Sequence, residues 1–222
     1  ILEPVLGEGG YFPAPTAFLQ GIREICDEHG ILFIADEVQC GFARTGRMFF
    51  VEESGVRPDI LVMAKGIASG FPIAAIGASA DLMAKWPVGS HGGTYGGNPM
   101  GCAAALATID VLTAAGFLSN VVDRGAQLRD GLRSIAQDHP VIADVRGPGL
   151  MVAAELRDPA TGEPDAARTA AVIAHCRTES NLLLMNAGTW GNIIRFMSPL
   201  VVTEAEMTLA IDAVRAAVVA TV

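Results

Sequence analysis

The chain has 222 residues, 51% hydrophobic and 18% charged, a composition that describes a folded protein with a sizeable core and excludes a disordered one. Lys and Arg number 15 against 24 Asp and Glu, a net charge of −9 with no basic cluster, so nucleic acid is not an expected partner. Every long apolar stretch is broken by Gly, Pro or charge, so no membrane span is expected either.

The chain opens at Ile1 inside an apolar run and without an initiator Met. That start reads as the C-terminal part of a longer protein. Residues 14–29 place Phe18, Leu19, Ile22, Ile25 and Cys26 at helical spacing, and Gly30 suits the helix end. An apolar run at 31–35 follows at once, and a second spans 60–64; both read as buried strands of a parallel sheet. A third strand is expected over 73–79. The segment 90–99 is a Gly-rich loop. It leads into a small-residue helix over 99–114, with Asn98 as N-cap and Pro99 in the first turn.

Gly116 marks the expected boundary between a first domain, 1–115, and a second, 116–222. The second half reads as a helix over 118–137, strands at 142–146 and 150–156, and a helix over 166–180. Strands at 182–185 and 193–196 and a last helix over 203–220 complete a small α+β domain. The 4 cysteines, at 26, 40, 102 and 176, form no C-x-x-C pair and no zinc spacing. They read as reduced thiols of a cytoplasmic protein, and no metal site is expected.

Two charges stand where apolar runs end. The 31–35 run is followed by Asp36, in Asp36-Glu37-Val38-Gln39, and the 60–64 run by Lys65, in Ala64-Lys65-Gly66. Ligands of open α/β sheets sit outside the carboxyl ends of the strands, so both groups could face one bound molecule. Lys65 could instead reach solvent past its strand, and Asp36 could cap a following turn. As a pair they suit pyridoxal phosphate chemistry: an amine to form a Schiff base and a carboxylate to keep a ring nitrogen protonated. The segment His91-Gly92-Gly93-Thr94-Tyr95-Gly96-Gly97-Asn98 offers backbone amides and the Thr94 hydroxyl to an anion, or is an ordinary flexible loop. It matches neither the P-loop nor the dinucleotide fingerprint, and Gly7-Glu8-Gly9-Gly10 also fails both. Arg195 is a cation within the apolar 193–196 strand. It is a fork for a substrate carboxylate or half of a structural ion pair, with Glu3 as a possible counter-charge.

In this order the segments resemble the class III (omega-type) pyridoxal phosphate-dependent aminotransferases. The resemblance runs through Glu3-Pro4-Val5, Asp36-Glu37-Val38-Gln39, Ala64-Lys65-Gly66, Gly93-Thr94-Tyr95, Arg146-Gly147 and the Arg195 strand. It implies an α/β fold of type I, a mostly parallel sheet with flanking helices plus the small C-terminal domain. It also implies the cofactor pyridoxal 5′-phosphate and these roles: Lys65 forms the Schiff base and moves the proton; Asp36 pairs with the ring nitrogen; Val38 packs on the ring; Gln39 bonds near the ring hydroxyl. Thr94 would bind the phosphate of the neighbouring subunit's cofactor, which makes the expected assembly a homodimer. Arg195 would hold a substrate carboxylate and Glu3 would gate it.

Within the family the chain is most similar to 4-aminobutyrate aminotransferases, through Asn181-Leu182-Leu183-Leu184-Met185 and the stretch from Gly188 to Phe196. The implied reaction moves the amino group of an ω-amino acid to 2-oxoglutarate. An ornithine-type aminotransferase, a dialkylglycine decarboxylase, a glutamate-semialdehyde aminomutase and an inactive fragment are the alternatives. Cys40 stands where Thr is common, Ser198 where Pro is, and Asn181 where Gly is. The family's second phosphate loop and its ring-stacking aromatic precede Glu3, so this chain alone is expected to bind the cofactor weakly.

Overall fold

The computed structural model of the chain describes residues 1–221. They form two compact units. One joins Ile1–Val5 to Ala14–Leu118, and the other joins Leu6–Pro13 to the residues from Ser119 onward. The sequence reading gives residues 6–13 to the first domain; the structure packs them with the second. Short strands β1 (Val5–Leu6) and β2 (Phe12–Pro13) pair around this segment. Its polar contacts explain the placement. Arg146 donates from Nε to the Gly10 carbonyl at 2.9 Å and lays its guanidinium 3.7 Å from the centre of the Phe12 ring. The Gly188 N–H donates to the Glu8 carbonyl at 3.0 Å.

In the first unit, α1 (Thr16–His29) buries Leu19 and Cys26 against Phe33, with Leu2, Ala14, Ile22 and Val56 around them. Gly30 ends the helix at φ 63°, a left-handed value glycine adopts without strain, and its N–H bonds to the Cys26 carbonyl. Strand β3 (Ile34–Asp36) is shorter than its apolar run implies: the Ile31 N–H closes the end of α1 on the Cys26 carbonyl at 2.8 Å, and Ile31 and Leu32 are about half exposed. It pairs in parallel with β4 (Ile60–Met63), with Asp36 opposite Val62. Strand β5 (Ala75–Ala78) runs antiparallel to β4, so the sheet is mixed rather than all parallel. The link between β4 and β5 holds a single 3-10 turn (Lys65–Ala68), too little chain for a crossover helix, and it therefore returns antiparallel. The short α2 (Ala80–Met83) and the longer α3 (Pro99–Leu112) follow. The Asn98 side chain accepts the Gly101 N–H at 2.7 Å, and Pro99 occupies the first helical position, as the sequence implies.

The second unit runs α4 (Phe117–Asp138), β6 (Ile142–Arg146), β7 (Val152–Leu156), α5 (Ala166–Ser180), β8 (Met185–Ala187), β9 (Ile193–Phe196) and α6 (Glu204–Thr221). Its four strands are antiparallel in the order β6-β7-β9-β8. Leu128, Leu132, Ile135, Val172, Met207 and Val214 are buried on the helices, and α5 packs on β7, β8 and β9 and against α6. Asn181 ends α5 at φ 53°, so the departure from Gly falls on the non-glycine residue that best tolerates this conformation. Strand β8 lies three residues beyond its expected start. Residues 182–184 precede it, tied back by the Leu182 N–H to the Cys176 carbonyl.

Among the described residues no single helix is long and apolar enough to cross a membrane. None of their His, Cys, Asp and Glu side chains group in threes that could hold a metal ion.

Candidate active site

The parallel register of β3 and β4 determines where the two charges go. Asp36 is the last residue of β3 and lies opposite Val62; Lys65 follows Val62 by three residues, so both leave the sheet at its carboxyl edge. Leu2 makes a parallel bridge to Ala35, with the Leu2 N–H donating to the Ile34 carbonyl and the Asp36 N–H to the Leu2 carbonyl. Glu3 therefore emerges at the same edge, in line with Asp36. Three neighbouring chain segments thus deliver an acid, an acid and an amine to one rim of the first unit.

Asp36 is half-buried, and its Oδ1 accepts the Val38 N–H at 3.1 Å. This local bond turns the chain sharply and carries Val38 and Gln39, also half-buried, along the rim. Lys65 is exposed and opens the 3-10 turn at φ 46°, a left-handed value unusual for a side chain other than Gly, Asn or Asp. A Cβ on the next residue, Gly66, would lie 3.0 Å from Phe42 Cβ, so the backbone after Lys65 fits closely against the Phe42 turn. Thr94 lies in the exposed loop ahead of α3.

Glu37, which the sequence reading passes over, is wholly buried. Its Oε1 accepts the Val51 N–H at 2.7 Å, and Oε2 accepts the Cys40 thiol at 2.9 Å. Burial raises the Glu37 carboxyl above the usual range, and burial together with the facing Glu37 carboxylate pushes the Cys40 thiol up.

Arg195, in the second unit, is 5% exposed, and its Nη1 donates to Glu8 Oε1 at 2.7 Å. Its guanidinium carbon lies 5.8 Å from the centre of the Tyr11 ring. The sequence reading names Glu3 as the counter-charge; the ion pair the structure shows is with Glu8. The signal for Glu8 in the sequence is an acid held between Gly7 and Gly9-Gly10. An open, mainly apolar groove of about 650 Å³ runs beside Arg195 in the same unit, lined by Leu128, Leu184, Phe196, Val202 and Met207.

The first-unit rim fits pyridoxal phosphate. The rim carries the two groups the cofactor would need, a half-buried carboxylate at the end of β3 and an accessible primary amine just past the end of β4.

The sequence profile of the class III aminotransferases matches residues 1–218. The chain is 45% identical over 208 residues to the 4-aminobutyrate aminotransferase of Escherichia coli, covering 93% of this chain and 49% of that protein. It is 46% identical over 205 residues to the 5-aminovalerate aminotransferase of Pseudomonas putida, at 92% and 48% coverage. Against the acetylornithine aminotransferase of Rhodobacter capsulatus it is 42% identical over 218 residues, covering 98% and 52%. A transaminase from a marine Virgibacillus superposes with a TM-score of 0.91 at 32% identity, over 99% of this chain and 52% of that one. An amine transaminase from an uncultivated Pseudomonas species, solved in its pyridoxal phosphate-bound form, gives 0.90 at 36% identity, over 99% and 51%. The chain spans about half the length of the curated relatives it matches. With matches of this extent and a rim that fits the family's cofactor, the chain belongs to the class III aminotransferases, which are pyridoxal phosphate-dependent.

Proposed function

We propose that the whole protein transfers the amino group of an ω-amino acid, such as 4-aminobutyrate, to 2-oxoglutarate. The observation that carries the reading is the placement of Asp36 and Lys65 at the tips of the adjacent parallel strands β3 and β4. When bound, pyridoxal phosphate supplies an electrophilic aldehyde and an electron sink for the substrate carbon. Lys65 Nζ would hold the cofactor through its amine and would serve as the group that accepts and returns a proton. The Asp36 carboxylate keeps the ring nitrogen protonated, because an ionised acid beside it raises its pKa. Val38 and Gln39, half-buried beside Asp36, would hold the ring, Val38 by packing and Gln39 by hydrogen bonding. Thr94, on its exposed loop, would bind the cofactor phosphate of a second subunit in a homodimer, and the reduced thiols would suit a cytoplasmic setting.

Donor and acceptor differ by one carboxylate, so the extra carboxylate needs a cation that is neutralised when the donor is bound. Arg195 and Glu8 meet that need. The Arg195 side chain is 5% exposed and the Glu8 side chain 73%, so the acid can withdraw while the cation stays fixed. Glu8 neutralises Arg195 when the donor lacks a second carboxylate, and 2-oxoglutarate takes its place on the guanidinium. This gives Glu8 the gating task that the family resemblance places on Glu3.

The test is a comparison of donors and acceptors on the whole protein. Arg195→Ala should raise the KM for 2-oxoglutarate at least tenfold while the half-reaction with 4-aminobutyrate keeps its rate within about threefold. Equal losses in both halves would contradict the assignment. A second reading keeps the chemistry and changes the donor to an ornithine type. It is favoured by the similarity to the acetylornithine enzyme, and the same donor panel separates the two.

A further inference from the structure

Asp36 does not hold its direction alone. The residue after it, Glu37, is bound through all its polar atoms to three different parts of the first unit. Its N–H donates to the Val62 carbonyl at 3.0 Å, on the strand that leads to Lys65. Its carbonyl accepts the Gly41 N–H at 3.0 Å and closes the turn 37–41. Its carboxylate reaches Val51, in the 3-10 turn Phe50–Ser54, and Cys40, within its own turn. Packing agrees with the bonding: a Cβ on Gly41 would lie 2.7 Å from the Glu37 carbonyl oxygen, so the turn closes directly onto this residue. The Cys40 thiol is also 3.8 Å from the Asp36 carbonyl.

We infer that Glu37 is a positioning residue for the cofactor-facing rim: its buried carboxylate anchors the turn 36–41 to the segment 50–54, and so directs Asp36 and Gln39 toward the bound ring. This rests on the transaminase reading given above. The mechanism is geometric. A carboxylate taken wholly out of water is retained only where its oxygens are bonded, and here both are. Removing it frees the Val51 N–H and the Cys40 thiol together and loosens the turn on which Asp36 depends. Cys40 is the donor to one oxygen, and a Thr hydroxyl at that position donates to the same acceptor more strongly than a thiol does.

The experiment compares Glu37→Ala, Glu37→Gln, Cys40→Thr and Cys40→Val in the whole protein. Two readouts are used: amide hydrogen exchange at Val38, whose N–H reports the Asp36 direction, and the pH titration of the lysine-linked cofactor absorbance. Glu37→Ala should speed Val38 exchange at least tenfold and shift the titration midpoint. Glu37→Gln, which keeps a carbonyl oxygen for Val51, should restore most of both, and Cys40→Thr should match the parent. If Glu37→Ala fails to fold, Cys40→Val carries the same test through the loss of one donor. Variants that melt earlier yet keep parental Val38 exchange and parental titration would overturn the inference and leave only a structural role. The transaminase reading fails separately, if the parent protein shows no lysine-linked absorbance, since Val38 exchange is measured without cofactor.

Discussion

A lysine that follows an apolar strand has two destinations, solvent or a ligand. Lys65 is exposed, yet its left-handed φ of 46° shows a backbone held in a conformation that carries a cost, which free placement in solvent does not require. The sequence made Lys65 and Asp36 legible because each charge follows an apolar run, and the strand register then put them on one rim. Glu8 was not legible as a partner of Arg195, because the pair is separated by 187 positions and no periodicity encodes such a contact. Glu37 was hidden by its neighbour: two adjacent acids look alike in sequence, and only packing shows which is buried. Its titration gives a prediction. Burial raises the folded-state pKa of Glu37, so the folded chain keeps this proton to higher pH than the unfolded chain. Its favourable contribution is complete below the ordinary glutamate range and is lost as pH rises through the raised value. Cys40 and Glu52 are the other ionisable groups acting on it. Melting curves against pH should show the parent losing stability relative to Glu37→Gln across that window, and parallel curves would contradict it.

At the scale of elements, local chemistry was the readable part. The Asn98 cap and the Gly30 terminus came directly from residue type, because each satisfies orphan backbone groups whatever the tertiary context. Asn98→Ala should therefore cost about 1 kcal/mol in denaturant unfolding of the first unit, with Asn98→Asp nearly neutral. Strand direction was not readable. The 73–79 run is apolar in either orientation, and only the short link after β4 makes β5 antiparallel. The extent of β3 was overread for a related reason, since apolar character alone does not distinguish Ile31 and Leu32 from the paired residues that follow. In the second unit the loop between β6 and β7 lies directly on α4. A Cβ on Gly125 would fall 1.9 Å from the Gly149 carbonyl oxygen, and Arg129 donates to the Gly147 and Gly149 carbonyls at 3.1 and 3.3 Å. Burial, with Arg133 nearby, lowers the Arg129 pKa from its usual value, and the two carbonyl acceptors work against that by favouring the cation. Gly125→Ala should destabilise the second unit by roughly 1–3 kcal/mol through this overlap, measured by chemical denaturation. An unchanged midpoint would show that the loop yields freely.

Over the whole molecule, Gly116 marks the expected boundary between two domains, and the two compact units of the structure, which change over at Leu118, each have a sheet and helices of their own. The reassignment of Leu6–Pro13 could not be read in advance, because it depends on Arg146 and Gly188, more than a hundred residues away. Near the chain start Glu3 belongs to the first unit, beside the Leu2–Ala35 bridge, and Glu8 to the second, where it pairs with Arg195. The central claim concerns the amine at the first-unit rim. The chain has two lysines, Lys65 and Lys85, which makes the decisive measurement unambiguous. With pyridoxal phosphate in excess and borohydride reduction, peptide mass spectrometry should find the cofactor fixed on Lys65, with the label lost in Lys65→Ala. A label on Lys85, or one that persists undiminished in Lys65→Ala, would contradict the account.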